Sequence, residues 1–312
     1  MNFEPIKQTK LYELEKYFNE ISTLFNSQNH SNKILLSGPK GIGKATLAYH
    51  LINYFFSLNE EYSYDINLKK ININNKSFQL VNSNSHPNFY LIDLLEEKKN
   101  IEISQIRKMI DYSNKSSFNG KHKFILIDNV ENLNLNSLNA LLKIIEEPNE
   151  NVFFLLIHNS NMKIAPTLKS RCLFFKIILS FQQSLNVTNK LIDNDIYKLL
   201  NKDYINYYNT PGDFVNLIKY SEDNNIDLLK LKLRDFLSFL LKENIYKKNN
   251  FIKLNMFNYI ELFFLNTIKK SINKSKMLNF YNNFTKKNYY AKKYNLDYES
   301  LFMEFKLKLL NE

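Results

Sequence analysis

The first part of the chain alternates short apolar runs with longer stretches in which apolar residues recur at helical spacing. Short apolar runs between polar segments are typical of strands buried on both faces of a parallel sheet. The amphipathic stretches between the runs predict helices near 44–58, 103–113 and 136–147. This order of elements predicts an α/β fold with a parallel sheet over residues 1–177. Its predicted strands are Ile34–Leu36, Phe89–Ile92, Phe124–Ile127 and Val152–Ile157.

The chain after Gly212 has a different pattern, because it contains neither glycine nor proline for 100 residues. These residue types break helices most effectively, so their absence predicts long helices joined by short polar connections. We expect the aromatic residues Phe263, Phe264, Tyr289 and Tyr290 in the core, with a subunit interface as the alternative. Apolar residues at helical spacing include Leu229, Leu233, Phe236, Leu237 and Leu240.

These patterns divide the chain into three predicted domains. The α/β segment covers 1–177, a smaller helical segment covers 178–222, and an all-helical segment covers 223–312. Residues 59–85 are rich in asparagine and predict an irregular insertion within the first domain.

Composition narrows the classes of function only slightly. The net charge is +11, and of the 42 basic residues only three are arginine. A basic surface attracts nucleic-acid phosphates, but lysine enrichment through A/T-rich coding gives the same excess, so both interpretations stay open. The single cysteine, Cys172, excludes internal disulfides and a cysteine-rich zinc site. Without a run of ~20 apolar residues or a signal-peptide pattern, we expect a cytoplasmic protein with no membrane partner.

Residues 38–44 match a phosphate-binding loop, whose template is glycine, four residues, glycine and lysine, followed by serine or threonine. Gly38, Gly43 and Lys44 fit this template between a predicted strand and a predicted helix. Together with Gly41, they would allow backbone N–H groups and the Lys44 ammonium to bind phosphate oxygens.

Two positions argue against efficient hydrolysis. Ala45 stands where a hydroxyl group normally holds Mg²⁺, and Thr46 comes one position late, on another side of the helix. Asp128 follows the strand at 124–127 and fits the metal-organising carboxylate. Its neighbour is Asn129, whose amide cannot accept a proton from water, and Glu131 should point elsewhere. We therefore expect no efficient turnover, whereas binding of ATP through Gly41, Gly43 and Lys44 stays open. We expect such binding to be weak or absent and assign no metal ligand; the alternative is a structural turn that binds nothing.

Three blocks occur in order along the first domain. They are Gly-Pro-Lys-Gly-Ile-Gly-Lys-Ala-Thr-Leu-Ala-Tyr at 38–49, Asn-Ala-Leu-Leu-Lys-Ile-Ile-Glu-Glu-Pro at 139–148 and Thr-Leu-Lys-Ser-Arg-Cys at 167–172. Together they resemble the AAA+ clamp-loader family of bacterial DNA polymerase III, particularly its delta-prime members of the zinc-free alphaproteobacterial type. The resemblance covers about residues 30–177.

The resemblance implies an AAA+ phosphate-loop domain over 1–177, a small helical lid over 178–222 and an all-helical collar over 223–312. It implies a replication scaffold without zinc that does not hydrolyse ATP. Its partners would be gamma/tau-type ATPase subunits and a delta subunit in a hetero-pentameric ring, with the sliding clamp and primed DNA contacted through the complex. Arg171 matches the arginine that such scaffolds present in trans to the ATP of a neighbouring subunit.

Two other functions stay open at this point. The chain could be an active ATPase motor, with Thr46 or water replacing the missing metal ligand, or a DNA-binding protein that uses its basic surface. Motor subunits of the family that this chain resembles carry a phosphate-sensing arginine at the position of Asp213. A carboxylate at this position disfavours the motor function. Asn159 is a candidate polar sensor, and a turn at the end of a strand is its alternative.

Overall fold

The computed structural model describes residues 3–26, 32–95, 98–149, 151–270, 273–294 and 296–310. The chain forms two compact units. One comprises Met1–Ile192 with Thr210–Val215, and the other comprises Asp193–Asn209 with Asn216–Glu312. The three predicted domains, with boundaries at 177/178 and 222/223, stay predictions.

A five-stranded parallel sheet forms the centre of the first unit, in the order β2-β3-β4-β1-β5. Leu35 in the first strand lies opposite Leu156 on one side and Phe174 on the other. The four predicted strands are confirmed, and a fifth, at the sheet edge, was not predicted. The strands are β1 Lys33–Gly38, β2 Phe89–Ile92, β3 Lys123–Ile127, β4 Val152–Asn159 and β5 Leu173–Lys176.

Alternate side chains of the strands enter separate cores on the two faces of the sheet. Ile34 and Leu36 pack in one hydrophobic cluster, and Leu35 packs in the other. Burial on both faces explains why the inner strands are almost continuously apolar. The residues of β4 are buried from Val152 to His158. The predicted α/β fold with a parallel sheet and a phosphate-loop turn after its first strand, followed by helical segments, is confirmed.

Helices cover both faces of this sheet, and polar side chains fix where several of them begin. Asn134 accepts a hydrogen bond from the Ser137 backbone N–H at 2.9 Å, which caps the helix Leu135–Glu146. The predicted helices near 44–58, 103–113 and 136–147 are confirmed as α2, α4 and α5. The helices are α1 Glu15–Asn26, α2 Lys44–Ser57, α3 Lys76–Asn82, α4 Ile103–Asn114, α5 Leu135–Glu146, α6 Pro166–Lys169, α7 Phe181–Ile192 and α8 Pro211–Asp223, the last with residues in both units.

The asparagine-rich segment 59–85 is more ordered than its composition predicted. It contains α3, and its residues Tyr64, Ile71 and Phe78 are buried in the core beside α2. Asn75 caps α3 by accepting from the Phe78 backbone N–H at 2.7 Å. The prediction of an irregular insertion was wrong over 76–82, because asparagine serves there as a helix cap rather than as a loop residue.

The second unit is helical, as predicted, and it includes two helices of 21 residues each. Four of the five leucine and phenylalanine positions predicted for one helix face are buried, whereas Leu229 is exposed and precedes that helix. Within the described part of the chain, no helix combines the length and apolarity needed to span a bilayer. The helices are α9 Leu233–Lys242, α10 Ile245–Lys248, α11 Asn250–Lys270, α12 Lys274–Tyr294 and α13 Glu299–Phe305, followed by a π turn at Lys306–Leu310.

The four aromatic residues expected in the helical core divide into two pairs. Phe263 and Phe264 are buried, with exposed fractions of 8% and 1%. Tyr289 and Tyr290 on α12 are 60% and 41% exposed, so their assignment to the core was wrong. Periodicity places residues on a helix face, but it does not say which faces other helices cover.

Asn75→Ala should destabilise the first unit by about 2–4 kcal/mol, because it removes a buried helix cap. The Asn75 amide also donates to Glu60 Oε2 at 2.8 Å and to the Tyr62 carbonyl at 2.9 Å, so both acceptors lose a partner. Urea unfolding measures the change. Asn74→Ala, an exposed neighbour, is the control and should stay within about 0.5 kcal/mol of the wild type. Equal effects of the two variants would contradict the assignment.

Candidate functional site

The carboxyl ends of the parallel strands meet at one edge of the sheet, which is where ligands bind in open α/β folds. β1 ends there at Gly38 and leads into the phosphate loop, which α2 follows from Lys44. Asp93 and Asp128 come directly after β2 and β3. The fold thus brings the predicted loop and the predicted carboxylate to the same edge.

The glycines of the loop have backbone reasons for being glycine. Gly41 and Gly43 have φ angles of +82° and +98°, in the left-handed region that side chains disfavour. A Cβ atom on Gly38 would lie 2.5 Å from the carbonyl oxygen of Ile177. These positions satisfy the local geometry of the loop, and this holds whether or not the loop binds phosphate.

The ammonium group of Lys44 is turned into the loop. Its Nζ donates to the carbonyl oxygens of Gly38 at 2.8 Å and Pro39 at 2.7 Å. Burial lowers the pKa of Lys44 to about 8, and the negative charges of Asp128 and Glu131 oppose this decrease. The lysine expected to reach phosphate is therefore engaged by backbone oxygens of its own loop.

The turn at Thr210-Pro211-Gly212 packs directly on the outer side of the loop. The Gly212 N–H donates to the Gly41 carbonyl at 3.0 Å. The Thr210 hydroxyl lies 3.0 Å from the Lys40 carbonyl, and a Cβ atom on Gly41 would be only 2.6 Å from that hydroxyl oxygen. This backbone-to-backbone approach fixes the loop from outside.

Asp213 stabilises this turn and is partly buried. Its Oδ2 accepts from the Thr210 N–H at 2.8 Å and lies 2.9 Å from the Thr210 hydroxyl. Burial raises the pKa of Asp213, and hydrogen bonds from Thr210 and the charge of Lys40 oppose the increase. A carboxylate next to the loop disfavours an anionic ligand there.

Asn129 joins the two carboxylates at the strand ends. Its backbone N–H donates to Asp128 Oδ1 at 2.7 Å, and its side-chain Nδ2 donates to Asp93 Oδ1 at 2.7 Å. Burial raises the pKa of Asp128 to about 6, with a smaller contribution from the charge of Asp93. Asn129 therefore acts as a donor that binds a neighbouring carboxylate, and an amide in this role does not activate water.

Glu131 does not point away from this edge, contrary to the sequence-based expectation. Its Oε2 accepts from the Asn159 backbone N–H at 3.1 Å, at the end of β4. The Asn159 side chain in turn accepts from the Asn161 N–H at 3.1 Å. This is the geometry of a turn at the end of a strand, which favours the structural alternative for Asn159 over the sensor.

The first turn of α2 does not supply the usual metal-binding hydroxyl at position 45. Ala45 packs against the first core cluster, and Thr46 lies beside it in the first turn of α2. Among the described residues, no group of three or more histidine, cysteine, aspartate and glutamate side chains is placed to hold a metal ion. Ala45 has no hydroxyl group, so the residues of this loop lack the usual side-chain ligand for the Mg²⁺ of a bound nucleotide.

Arg171 lies at the surface, and its bonding partners belong to α5 and α6. Its Nε and Nη2 donate to Glu146 Oε1 at 2.7 and 2.6 Å, and its Nη1 donates to the Thr167 carbonyl at 3.0 Å. The side chain is 36% exposed. Gly41, Lys44 and Asp128 thus gather at the sheet edge, whereas the guanidinium group of Arg171 is bound elsewhere.

The residues on either side of Arg171 fix its backbone. The Ser170 hydroxyl donates to the same Thr167 carbonyl at 3.1 Å. Cys172 is half-buried against the second core cluster, and burial raises the pKa of its thiol to about 11. Such a thiol is a packing group rather than a nucleophile.

Two participants were missed in the sequence. Thr210 was not singled out, and its contact with Lys40 joins positions 170 residues apart. Glu146 appeared only within the block at 139–148. Its charge is opposite to that of Arg171, but this is a weak signal, since neither spacing nor periodicity links the two residues.

Comparison with known proteins places these observations in a family. The model of the family described as DNA polymerase III, delta subunit, matches residues 14–180. The chain is similar to DNA polymerase III subunit delta' of Pseudomonas aeruginosa, with 31% identity over 48% of this chain and 44% of that protein. It is also similar to subunit delta' of Buchnera aphidicola subsp. Schizaphis graminum, with 28% identity over 90% of this chain and 84% of that one.

A solved structure is similar as well. It is a DNA polymerase III gamma subunit-related protein from Thermotoga maritima, with 18% identity and a TM-score of 0.45. The match covers 84% of this chain and 76% of that chain. The match to the Pseudomonas protein spans less than half of that relative, whereas the Buchnera match spans most of its length.

Asp128→Asn should gain stability relative to the wild type as the pH rises from 4 to 7. The pKa of Asp128 is about 6 in the folded chain and 3.8 ordinarily, so between these values the folded state binds the additional proton. The contribution of Asp128 to stability is present below pH 4 and is lost as the pH rises through 6. The difference in free energy of unfolding between variant and wild type should change by about 1–3 kcal/mol.

Urea unfolding of both proteins at the two pH values measures this difference. Asp111→Asn removes an exposed carboxylate on α4 and controls for the general loss of one negative charge. A difference between Asp128→Asn and wild type that is the same at both pH values would contradict a buried carboxylate at this edge.

Proposed function

The chain belongs to the DNA polymerase III delta-subunit family, since the family model matches residues 14–180 of its 312, and from this we propose that it acts as the delta-prime subunit of a clamp loader. In this role it is a scaffold that hydrolyses little or no ATP. It supplies Arg171 in trans to the ATP of an adjacent motor subunit. Similarity to delta' subunits of two bacteria supports the family role.

The observation that carries the proposal is the placement of Arg171. Its guanidinium group is exposed and bonded to Glu146 and Thr167, outside the group of residues gathered at the chain's own phosphate loop. An exposed arginine on a fixed backbone is available to a second protein. A planar guanidinium group binds phosphate oxygens in a bidentate manner, which the point charge of lysine does not do.

Several contacts at the loop support a scaffold rather than a motor. Ala45 and Asn129 lack the groups for metal binding and water activation. Lys44 donates to carbonyl oxygens of its own loop, and Gly212 packs against Gly41. We propose that ATP binding here is weak or absent, and we derive no chemical step at this loop.

The proposed action in trans is electrostatic. As the γ-phosphoryl group of the neighbour's ATP is transferred, negative charge spreads over its oxygens. A guanidinium group already held in position stabilises that charge without reorganising, and such arginines contribute about 10³–10⁵ in rate. Arg171 would need to reach the neighbour's triphosphate only with its terminal nitrogens.

The proposed partners are gamma/tau-type ATPase subunits and a delta subunit in a hetero-pentameric ring. The sliding clamp and primed DNA would be contacted through the complex. The zinc-free alphaproteobacterial type stays a prediction. Residues 59–85 are held by hydrogen bonds around Glu60 and Asn75.

Arg171→Ala should lower the rate of ATP hydrolysis at the adjacent motor site by about 10³-fold, because the transition-state charge loses its partner. Arg171→Lys should recover only part of the rate, since an ammonium group lacks the planar fork. Single-turnover hydrolysis in the reconstituted complex measures the effect, and the affected site appears as a separate slow phase.

Arg107→Ala is the matched control, because it removes an exposed arginine from α4 of the same unit. Size-exclusion chromatography should give the same assembled complex for all variants. Wild-type hydrolysis by a fully assembled Arg171→Ala complex would remove the assignment in trans.

The isolated chain should hydrolyse no ATP above background, with or without primed DNA, and Lys44→Ala should change nothing. Equilibrium dialysis with labelled ATP should detect weak binding or none. Robust turnover that disappears in Lys44→Ala would instead identify a motor. Tight binding of DNA by the isolated chain, weakening steeply with salt, would favour the nucleic-acid-binding alternative.

A further inference from the structure

The ion pair between Arg171 and Glu146 has a particular geometry. One carboxylate oxygen, Glu146 Oε1, accepts from both Nε and Nη2 of the arginine, at 2.7 and 2.6 Å. The Thr167 carbonyl accepts from Nη1 at 3.0 Å. These partners engage three of the five N–H groups of a guanidinium. Within the described residues, each of the two terminal nitrogens therefore keeps one N–H group that none of these hydrogen bonds uses. A bidentate contact with phosphate uses two such N–H groups.

We propose that Glu146 is a positioning residue for Arg171, which holds the inner edge of the guanidinium group so that its terminal nitrogens face an anion outside the chain. This inference rests on the proposed function of Arg171. The anion is the triphosphate of a nucleotide bound to the adjacent subunit. Glu146 itself does not contact that nucleotide.

Glu146 is well placed to hold the arginine because its own position is fixed. It is the last residue of α5, and Leu141 and Ile145 of that helix are fully buried in the second core cluster. The pair joins the end of α5 to the Ser-Arg-Cys turn across 25 residues of sequence. The end of α5 is anchored in the core beside the sheet, so the carboxylate that orients Arg171 is attached to a fixed part of the fold.

The pair differs from the ordinary ion pairs at the surface of this chain. Several of those join a lysine to a carboxylate three or four residues away in the sequence, as with Lys98 and Glu102 or Lys308 and Glu304. Exposed pairs contribute little to stability. A two-nitrogen contact with a carboxylate at a helix end, together with a backbone carbonyl, instead fixes the plane of the guanidinium group.

Glu146→Ala should lower kcat at the adjacent ATPase site by about 10- to 100-fold and leave KM nearly unchanged, because the arginine is misplaced only for the transition state. Glu146→Gln keeps an oxygen acceptor at the same place and should recover most of the rate. Steady-state hydrolysis by the reconstituted complex at varied ATP concentration gives both constants. The thermal midpoint of each variant should match that of the wild type, since the pair is exposed.

Glu147→Ala is the matched control, because it removes an exposed glutamate one position later. It should behave as the wild type. In a complex that already carries Arg171→Ala, Glu146→Ala should have no further effect, because a positioning residue acts only through the residue that it holds.

The outcomes separate this inference from the proposed function. If Arg171→Ala leaves hydrolysis unchanged, the proposed function fails and the role of Glu146 with it. If Arg171→Ala slows hydrolysis while Glu146→Ala matches Glu147→Ala, only the positioning role is overturned. A faster rate in Glu146→Ala would show that Glu146 restrains the arginine, which also overturns the inference.

Discussion

Burial of a parallel sheet on both faces is the constraint on which the rest of the first unit depends. It requires helices on each face, and crossover connections that return every strand in the same direction. Every strand therefore ends at the same edge. The phosphate loop follows β1, Asp93 follows β2, and Asp128 and Glu131 follow β3, so all of them lie at this edge.

The same edge has the backbone geometry of a phosphate loop, whereas its polar side chains are bonded within the chain. The loop keeps the left-handed glycines that its turn requires, and Lys44 keeps its place at the start of α2. The polar groups have nevertheless found partners within the chain: Lys44 with loop carbonyls, Asn129 with Asp93 and Glu131 with a backbone N–H. Groups satisfied in this way stabilise the fold, and each would have to break a bond to bind a ligand.

The sequence was most informative where burial imposes a pattern. β3 and β4 are buried on both faces, so their apolar runs were recognisable, and α4 and α5 have clear helical periodicity. β5 was missed because it is an edge strand, with Leu173 and Phe174 exposed. The contacts that define the site were harder to predict, since the pairs Thr210–Lys40 and Arg171–Glu146 depend on the folded path of the chain. No local pattern encodes such pairs.

The chemistry of arginine links the sequence to the proposed role. The chain has 42 basic residues, and only three of them are arginine, one of which is Arg171. A lysine at 171 that donated to Glu146 would have its single charge centre against that carboxylate. A guanidinium group spreads its charge over three nitrogens, so one edge can bind Glu146 while the other remains directed outward. The contact with Glu146 thus explains why position 171 is arginine. Glu146 orients the guanidinium group and leaves some of its N–H donors available.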